Sequence, residues 1–215
     1  MKAGIIPAFI ISKKIINIIK YLNFWRCIMT SRDYRHQAWA SLSGRWGMAI
    51  LVSIVAGLIT GAASFIPCGS LLISGLIGVG MAGVMMSIIR GEDTDLARLF
   101  DGCQVNFVNN LLAGILQTIF VALWTLLLIV PGIIKGYAYG VTFYLLKDHP
   151  EMTAMEALNE SQRLMNGNKM RLFCLDLSFI GWYLLSIVTL GIALIWVMPY
   201  HEAARAAFYE DIKNS

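Results

Sequence analysis

The chain contains an uncharged apolar run, WGMAILVSIVAGLITGAASFI, which extends from Trp46 to Ile66 and decides the fold class. An α-helix rises about 1.5 Å per residue, so about 20 apolar residues cross a hydrocarbon core about 30 Å thick. The run has this length, and the turn-forming sequence Pro67-Cys68-Gly69-Ser70 follows it directly. It therefore predicts a transmembrane helix that ends at a tight turn.

The composition indicates that the whole chain belongs in a membrane. Of its 215 residues, 58% are hydrophobic and only 14% are charged, and the mean hydropathy is +0.68. A soluble domain has about a quarter of its residues charged, because a globule of this size needs a polar surface. The four cysteines show no metal-binding or redox spacing. These features argue against a water-soluble enzyme, a disordered chain and a secreted disulfide scaffold.

Four further apolar runs predict the remaining membrane-crossing segments. They are Leu71–Ile89, Leu111–Val130, Ile133–Leu146 and Leu172–Met198. The last run would form a helix about 40 Å long, so we predict instead a hairpin that turns near Thr189-Leu190-Gly191. The predicted fold is an all-α membrane bundle of six transmembrane helices, arranged as three helical hairpins.

The Lys and Arg residues set the predicted orientation, because cytoplasmic loops are enriched in them. With six spans and both termini cytoplasmic, all but one of the 17 Lys and Arg residues lie in inner segments. The exception is Lys135, beside an outer turn. A single helix over residues 172–198 would instead place Arg205 and Lys213 outside. We attribute the net charge of +4 to this asymmetry and expect no nucleic-acid partner.

Residues 1–28 differ in composition from the rest of the chain. They contain nine Ile and four Lys, whereas residues 29–215 contain 18 Ile and four Lys. In one interpretation, residues 12–28 form a basic amphipathic helix on the inner leaflet. In the other, which we prefer, translation starts at Met29 and residues 1–28 are an extension from a mis-assigned start. Residues 29–215 are predicted to form a single integral membrane domain.

A threefold internal pseudo-repeat is predicted over residues 31–93, 94–150 and 151–212. Each unit has a short amphipathic segment, predicted to be an interfacial helix, followed by two spans and an acidic end. The segments stop at Gly44, Gly102 and Gly167, and glycine is the usual residue just past a helix end. Thr153-x-x-Glu156 is a capping box that opens the third interfacial helix. The alternative is that any protein built of helical hairpins has Gly and Pro at its turns.

Small residues recur at helical spacing within the predicted spans. Gly57 and Gly61 lie on the first span, Gly78 on the second, and Gly132, Gly136 and Gly140 on the fourth. Such faces let helix backbones approach closely where no hydrophobic force drives association. We assign these glycines to packing inside the bundle rather than to a dedicated dimer face.

Longer motifs follow in the carboxyl-terminal two-thirds of the chain. They include Leu99-Phe100-Asp101-Gly102, Leu126-Leu-Leu-Ile-Val-Pro-Gly-Ile-Ile134, Tyr137-x-Tyr139, Glu156-Ala-Leu-x-x-Ser161, Leu177-Ser178-Phe179-Ile180-Gly181-Trp182 and Pro199-Tyr200. In these motifs the chain resembles a family of bacterial integral membrane proteins, domain of unknown function family 975. The resemblance is strong over residues 95–210 and looser over 30–94. It implies a multi-pass protein of the bacterial cytoplasmic membrane, and it implies no activity.

Four ionisable residues fall at membrane depth on the last two predicted spans: Asp176, His201, Glu202 and Arg205. Charges in a bilayer are costly, so they normally face the bundle and pair with one another. Asp176 and Arg205 lie at equal distances from a turn centred between residues 190 and 191. We therefore predict an ion pair between them, with His201 as the second-choice partner of Asp176. We expect the cluster to be structural before it serves as a substrate or proton path.

Two classes of function remain open. No catalytic motif is present, and His201-Glu202-Ala-Ala-Arg205 has Arg where a zinc protease has its second histidine. We therefore expect no enzyme activity, no metal and no cofactor. The first class is a membrane protein that scaffolds or modulates an envelope complex, with a membrane-protein partner or a second copy. The alternative is a small transporter built from three parallel two-span repeats, against which the sequence shows no unwound midplane segment.

Overall fold

The computed structural model describes residues 30–65 and 69–214, and this part of the chain is helical and contains no β-strand. The all-α prediction is therefore confirmed for these residues. Both interpretations of residues 1–28 fall outside them. The helices are α1 (residues 30–42), α2 (Trp46–Ala63), α3 (Gly69–Arg90), a 3₁₀ helix (Leu96–Phe100), α4 (Asp101–Gln104), α5 (Phe107–Leu127), α6 (Ile129–Ala138), α7 (Thr142–Asp148), α8 (Ala154–Leu164), α9 (Lys169–Ser178), α10 (Ile180–Val188) and α11 (Leu194–Lys213).

Five helical segments are long and apolar enough to cross a membrane, as expected of a multi-pass membrane protein. They are Trp46–Ala63, Leu71–Arg90, Phe107–Leu127, Ile129–Asp148 and Lys169–Val188. The predicted sixth span would have to be α11. This helix has 20 residues, but several ionisable side chains lower its apolar character. Five of the six predicted spans thus have the composition of membrane helices.

Helix α3 forms the centre of the bundle. It is the most buried of the five apolar segments, and it contacts α2, α5, α7 and α11. Its glycines explain the close packing, since a Cβ at Gly80 would lie 1.8 Å from the Leu99 carbonyl oxygen. A Cβ at Gly75 would lie 2.1 Å from the Asn110 carbonyl oxygen. The backbones of the 3₁₀ helix and of α5 therefore rest directly on α3.

A helix forms at two of the three segments that are predicted to be interfacial helices. Helix α8 opens with the predicted capping box, in which Thr153 and Glu156 exchange hydrogen bonds of 2.9 and 3.3 Å. The hydrogen bond from the Thr153 backbone N–H holds the pKa of Glu156 below its usual value. Helix α1 is the counterpart in the first unit. Gly44 and Gly167 follow these helices with φ of +84° each, the left-handed conformation expected at a helix end.

The second unit departs from this prediction. Residues 96–104 form a 3₁₀ helix and the short α4 rather than one amphipathic helix. Gly102 does not end a helix there, because it lies inside α4. A Cβ at Gly102 would lie 2.1 Å from the Leu76 carbonyl oxygen. Glycine is required here by the contact with α3 and not by a positive φ.

Of the three predicted outer turns, the one at Pro67-Cys68 lies outside the described residues, and the other two differ in how well they match their predicted positions. Between α10 and α11, Leu190 and Gly191 have φ of 51° and 89°, so this turn falls where the sequence predicts it. Between α5 and α6, the extended residue is Leu128, three residues before the predicted break at Pro131. Pro131 lies in the first turn of α6, where its missing N–H removes no helical hydrogen bond.

Candidate functional site

Asp176 and Arg205 form the predicted ion pair. Asp176 lies on α9 and Arg205 on α11, and the Arg205 Nη2 and Nε atoms are 2.9 and 3.2 Å from the two carboxylate oxygens of Asp176. His201 Nε2 is 2.8 Å from Asp176 Oδ1, so the second-choice partner binds the same carboxylate. The Tyr183 hydroxyl is 2.8 Å from His201 Nδ1. We call these four residues the Asp176 cluster.

The turn between α10 and α11 brings the Asp176 cluster together. Asp176 and Tyr183 precede this turn, whereas His201 and Arg205 follow it and lie four residues apart on one face of α11. The Tyr183–His201 and Asp176–Arg205 contacts therefore pair residues at similar distances from the turn. This is the pattern of two antiparallel helices. The cluster is only partly exposed, with 19% of the Asp176 side chain and 31% of the Arg205 side chain accessible.

Glu202 lies beside the Asp176 cluster but does not join it. Within residues 30–65 and 69–214, no Lys, Arg or His nitrogen comes within 4.0 Å of its carboxylate. The carboxylate faces the hydroxyl of Tyr144 on α7 instead. The four residues predicted as one polar cluster are thus divided into a directly bonded group of three and one carboxylate that interacts with the Arg205 charge without a direct contact.

Glu202, His201 and Arg205 line a cavity of about 590 Å³. Its wall is formed by α2, α3, α5, α6, α7, α10 and α11, and the volume is typical of sites that bind small organic ligands. Gly57 and Gly136 also line it. The sequence does not predict this cavity, because the apolar periodicity of a helix does not show whether neighbouring helices touch.

The glycines assigned to helix packing divide into two groups. A Cβ at Gly57, Gly61 or Gly136 would meet no atom within 4 Å in the part of the chain that the structure describes, so no helix backbone approaches closely there. Gly57 and Gly136 open the cavity instead. The other three are in tight contact, namely Gly78 with Phe143, Gly132 with Thr125 and Gly140 with Leu172. Absence of a side chain thus leaves space at one set of positions and permits contact at the other.

Two of the apolar segments are irregular at one point, although each remains a continuous helix of membrane-spanning length. Residues 139–141 separate α6 from α7, and Phe179 separates α9 from α10. At the first break the Gly140 N–H bonds to the Tyr137 carbonyl at 3.2 Å, which is a tighter turn than an α-helix makes. Irregular backbone at membrane depth is tolerated where it is buried in protein or lines a cavity. Gly140 itself lines this one.

A second charged network lies at the ends of α3, α7 and α11. Asp148 accepts hydrogen bonds from Arg90 at 2.8 and 2.9 Å, from Lys213 at 2.5 Å and from the Tyr209 hydroxyl at 3.1 Å. Only 8% of the Asp148 side chain is accessible. Glu210 binds Arg90 from the opposite side at 2.8 Å. The network ties three helix ends together, and it leaves Asp148 fully occupied by protein groups.

The sequence signal for this network is the acidic end of each predicted unit. The second unit ends near Asp148 and the third at Glu210-Asp211, and Lys147 and Lys213 lie beside them. What the sequence does not show is that these ends meet in space. Both networks bind helix ends or helix faces to one another, and only the Asp176 cluster borders the cavity.

Comparison with known proteins supports the resemblance noted in the sequence. Residues 126–215 match the family model described as Protein of unknown function (DUF975). The match includes Asp176, His201, Glu202 and Arg205, and it begins nearer the carboxyl terminus than the resemblance over residues 95–210. No curated protein and no solved structure matches the chain. The carboxyl-terminal part of this chain is therefore similar to the DUF975 family of proteins of unknown function.

Proposed function

We propose that the chain is a six-span protein of the bacterial cytoplasmic membrane with both termini on the cytoplasmic side. The sixth span is α11, whose 20 residues give the length that a span needs. Its ionisable residues Glu202 and Arg205 line the cavity rather than point to lipid. Arg90, Asp148 and Lys213 also support this topology, because it brings the ends of α3, α7 and α11 to the same side of the membrane, where these residues are bonded.

Within this topology we propose that the protein is a small transporter that binds its substrate in the cavity without converting it chemically. The observation that carries the proposal is the cavity of about 590 Å³ at the depth of the Asp176 cluster, with the irregular turn at Gly140 in its wall. Transporters commonly bind their substrates at a polar site inside the helical bundle. The lipid bilayer is the proposed environment, and no nucleic acid is involved.

The scaffolding role is the second candidate. An apolar groove of about 420 Å³ is lined by Trp39, Trp46, Trp182, Trp196 and Tyr200, and it offers a surface for a membrane-protein partner or a second copy. Trp and Tyr also concentrate at membrane interfaces without any partner. A scaffold does not need water to reach the cavity, whereas a transporter does.

Water access to the cavity is therefore the property to measure. The four native cysteines are replaced by alanine, and a single cysteine is introduced at Gly57 or at the neighbouring Leu58. Gly57 lines the cavity with room for a side chain, whereas Leu58 points away and is 68% exposed on the outer surface of the bundle. Both positions lie at the same depth on α2.

We expect a membrane-impermeant thiosulfonate to modify Gly57→Cys at least about tenfold faster than Leu58→Cys, because the reacting thiolate does not form in apolar surroundings. The rates are measured in membrane vesicles of both orientations. Equal rates at the two positions from both sides of the membrane would contradict the transporter and would favour the scaffold.

A further inference from the structure

We propose that the cavity binds a small protonated primary or secondary amine, whose ammonium group pairs with Glu202. The inference rests on the proposed function, since it names the class of substrate that the cavity would carry. Three features of the lining support it, and each is independent of the others. They are the balance of charged side chains around the cavity, the hydrogen bonds that its hydroxyl groups already donate, and its aromatic side chains.

Among the charged side chains at the cavity, the carboxylates outnumber the guanidinium groups by one. The Arg205 guanidinium donates from Nε and one Nη to Asp176. His201 contacts Asp176 through Nε2 and the Tyr183 hydroxyl through Nδ1, so both of its ring nitrogens are occupied within the Asp176 cluster. Arg205 is thus the one guanidinium beside two carboxylates, and it bonds directly to Asp176 and acts on Glu202 only through space. A carboxylate at membrane depth is costly unless it meets a cation or a proton.

The hydroxyl groups of the lining offer acceptors and few donors. Ser53, Thr60 and Ser74 each donate their proton to a backbone carbonyl of their own helix, at 2.8, 2.8 and 2.9 Å. The lone pairs of these hydroxyl oxygens therefore remain as hydrogen-bond acceptors toward the cavity. Gln117 adds a buried side-chain oxygen that has no hydrogen-bond partner in the described part of the chain. A ligand that satisfies these groups must bring hydrogen-bond donors, and a primary or secondary ammonium group brings donors together with the positive charge that Glu202 attracts.

The aromatic lining suits the organic part of such a ligand. Phe143, Tyr144 and Tyr183 border the cavity, and aromatic faces attract cations within about 6 Å of the ring centre. A metal ion fits less well, because no three His, Cys, Asp or Glu side chains converge as a metal site among the described residues. An anion would meet Glu202 and a wall of acceptors. The chemistry therefore selects an organic cation with N–H groups.

The test uses the purified full chain in nanodiscs and four amine probes: methylammonium, butylammonium, phenethylammonium and spermidine. Phenethyl alcohol and phenylpropionate serve as neutral and anionic counterparts of the aromatic amine. Binding is measured by calorimetry on the parent chain, on Glu202→Gln and on Glu151→Gln. Glu151 is the matched control, because it is an exposed carboxylate on the loop before α8 and remote from the cavity.

We expect at least one amine to bind, and we expect Glu202→Gln to weaken that binding by about tenfold or more, because it removes one partner of a buried charge pair. Glu151→Gln should bind as the parent does. Glu202→Gln is expected to fold, since it removes a carboxylate that has no direct salt bridge, and thermal unfolding checks this.

Three results would overturn the inference: no binding of any of the four amines, equal or tighter binding of the alcohol or the anion, or unchanged amine binding by folded Glu202→Gln. None of these results bears on water access at Gly57. Failure of the amine site and failure of the transporter proposal are therefore distinguishable.

Discussion

Replacement of Asp176 by Asn is expected to lower the free energy of unfolding by about 3–5 kcal/mol, the usual cost of leaving one member of a buried ion pair alone. The variant deprives the Arg205 guanidinium of both short contacts to the carboxylate and leaves His201 without a charged acceptor. Because 31% of the Arg205 side chain remains accessible, solvent reduces the penalty, and we expect a value near the lower end.

The decisive quantity is the coupling between the two residues. We expect the double variant Asp176→Asn/Arg205→Gln to lose less stability than the sum of the single variants, by about 1 kcal/mol or more, as for side chains in direct contact. The measurement is equilibrium unfolding in mixed detergent micelles. Glu160 and Arg163 provide a control pair on the exposed face of α8, and their cycle should show far weaker coupling. Additive losses for Asp176 and Arg205 would show that their contact contributes nothing.

Replacement of Gly80 by Ala is expected to destabilise the protein by about 3 kcal/mol or more, at the upper end of what overpacking costs. The added Cβ would lie 1.8 Å from the Leu99 carbonyl oxygen and 2.6 Å from its carbonyl carbon. Both atoms belong to the backbone, so no side-chain rotation relieves the clash. The 3₁₀ helix would have to separate from α3.

Gly61→Ala is the matched control for this variant. Gly61 is exposed on α2, and an added Cβ would meet nothing within 4 Å among the residues that the structure describes. Alanine is the better helix former by about 0.5–1 kcal/mol, so this variant should be unchanged or slightly more stable. Thermal unfolding in detergent compares the two variants. If Gly80→Ala unfolds at the same temperature as Gly61→Ala, α3 is not packed as described.

Symmetry about a turn was enough to predict the Asp176–Arg205 contact. Leu190-Gly191 marks the reversal, and residues at equal distances from it lie at equal depth. The same reasoning could not reveal the cavity, since Gly57 and Gly78 have the same spacing pattern. One of them faces open space and the other faces Phe143. The distinction depends on the distance between helices, which local sequence does not encode.

Two predictions from local sequence were wrong. In one a contact between helices, and in the other the position of a proline within its helix, determined the structure instead of the local Gly or Pro signal. Gly102 was predicted to follow the end of a helix, but glycine is required there because its backbone contacts the Leu76 carbonyl on α3. Pro131 looked like the turn itself, but it is well accommodated in the first turn of α6, and Leu128 provides the extended residue. The capping box at Thr153 was predicted correctly because both of its partners lie within one helical turn.

The central proposal is that α11 forms a sixth span and ends on the cytoplasmic side. The most direct test is alkaline phosphatase, which is active only outside the cytoplasm, fused to the carboxyl terminus of the full chain in a bacterial host. Insertion of the enzyme between Leu190 and Gly191, at the predicted outer turn, provides the positive control. Six spans predict an inactive terminal fusion and an active control. An active terminal fusion would place Arg205 and Lys213 on the outer side and would contradict the account.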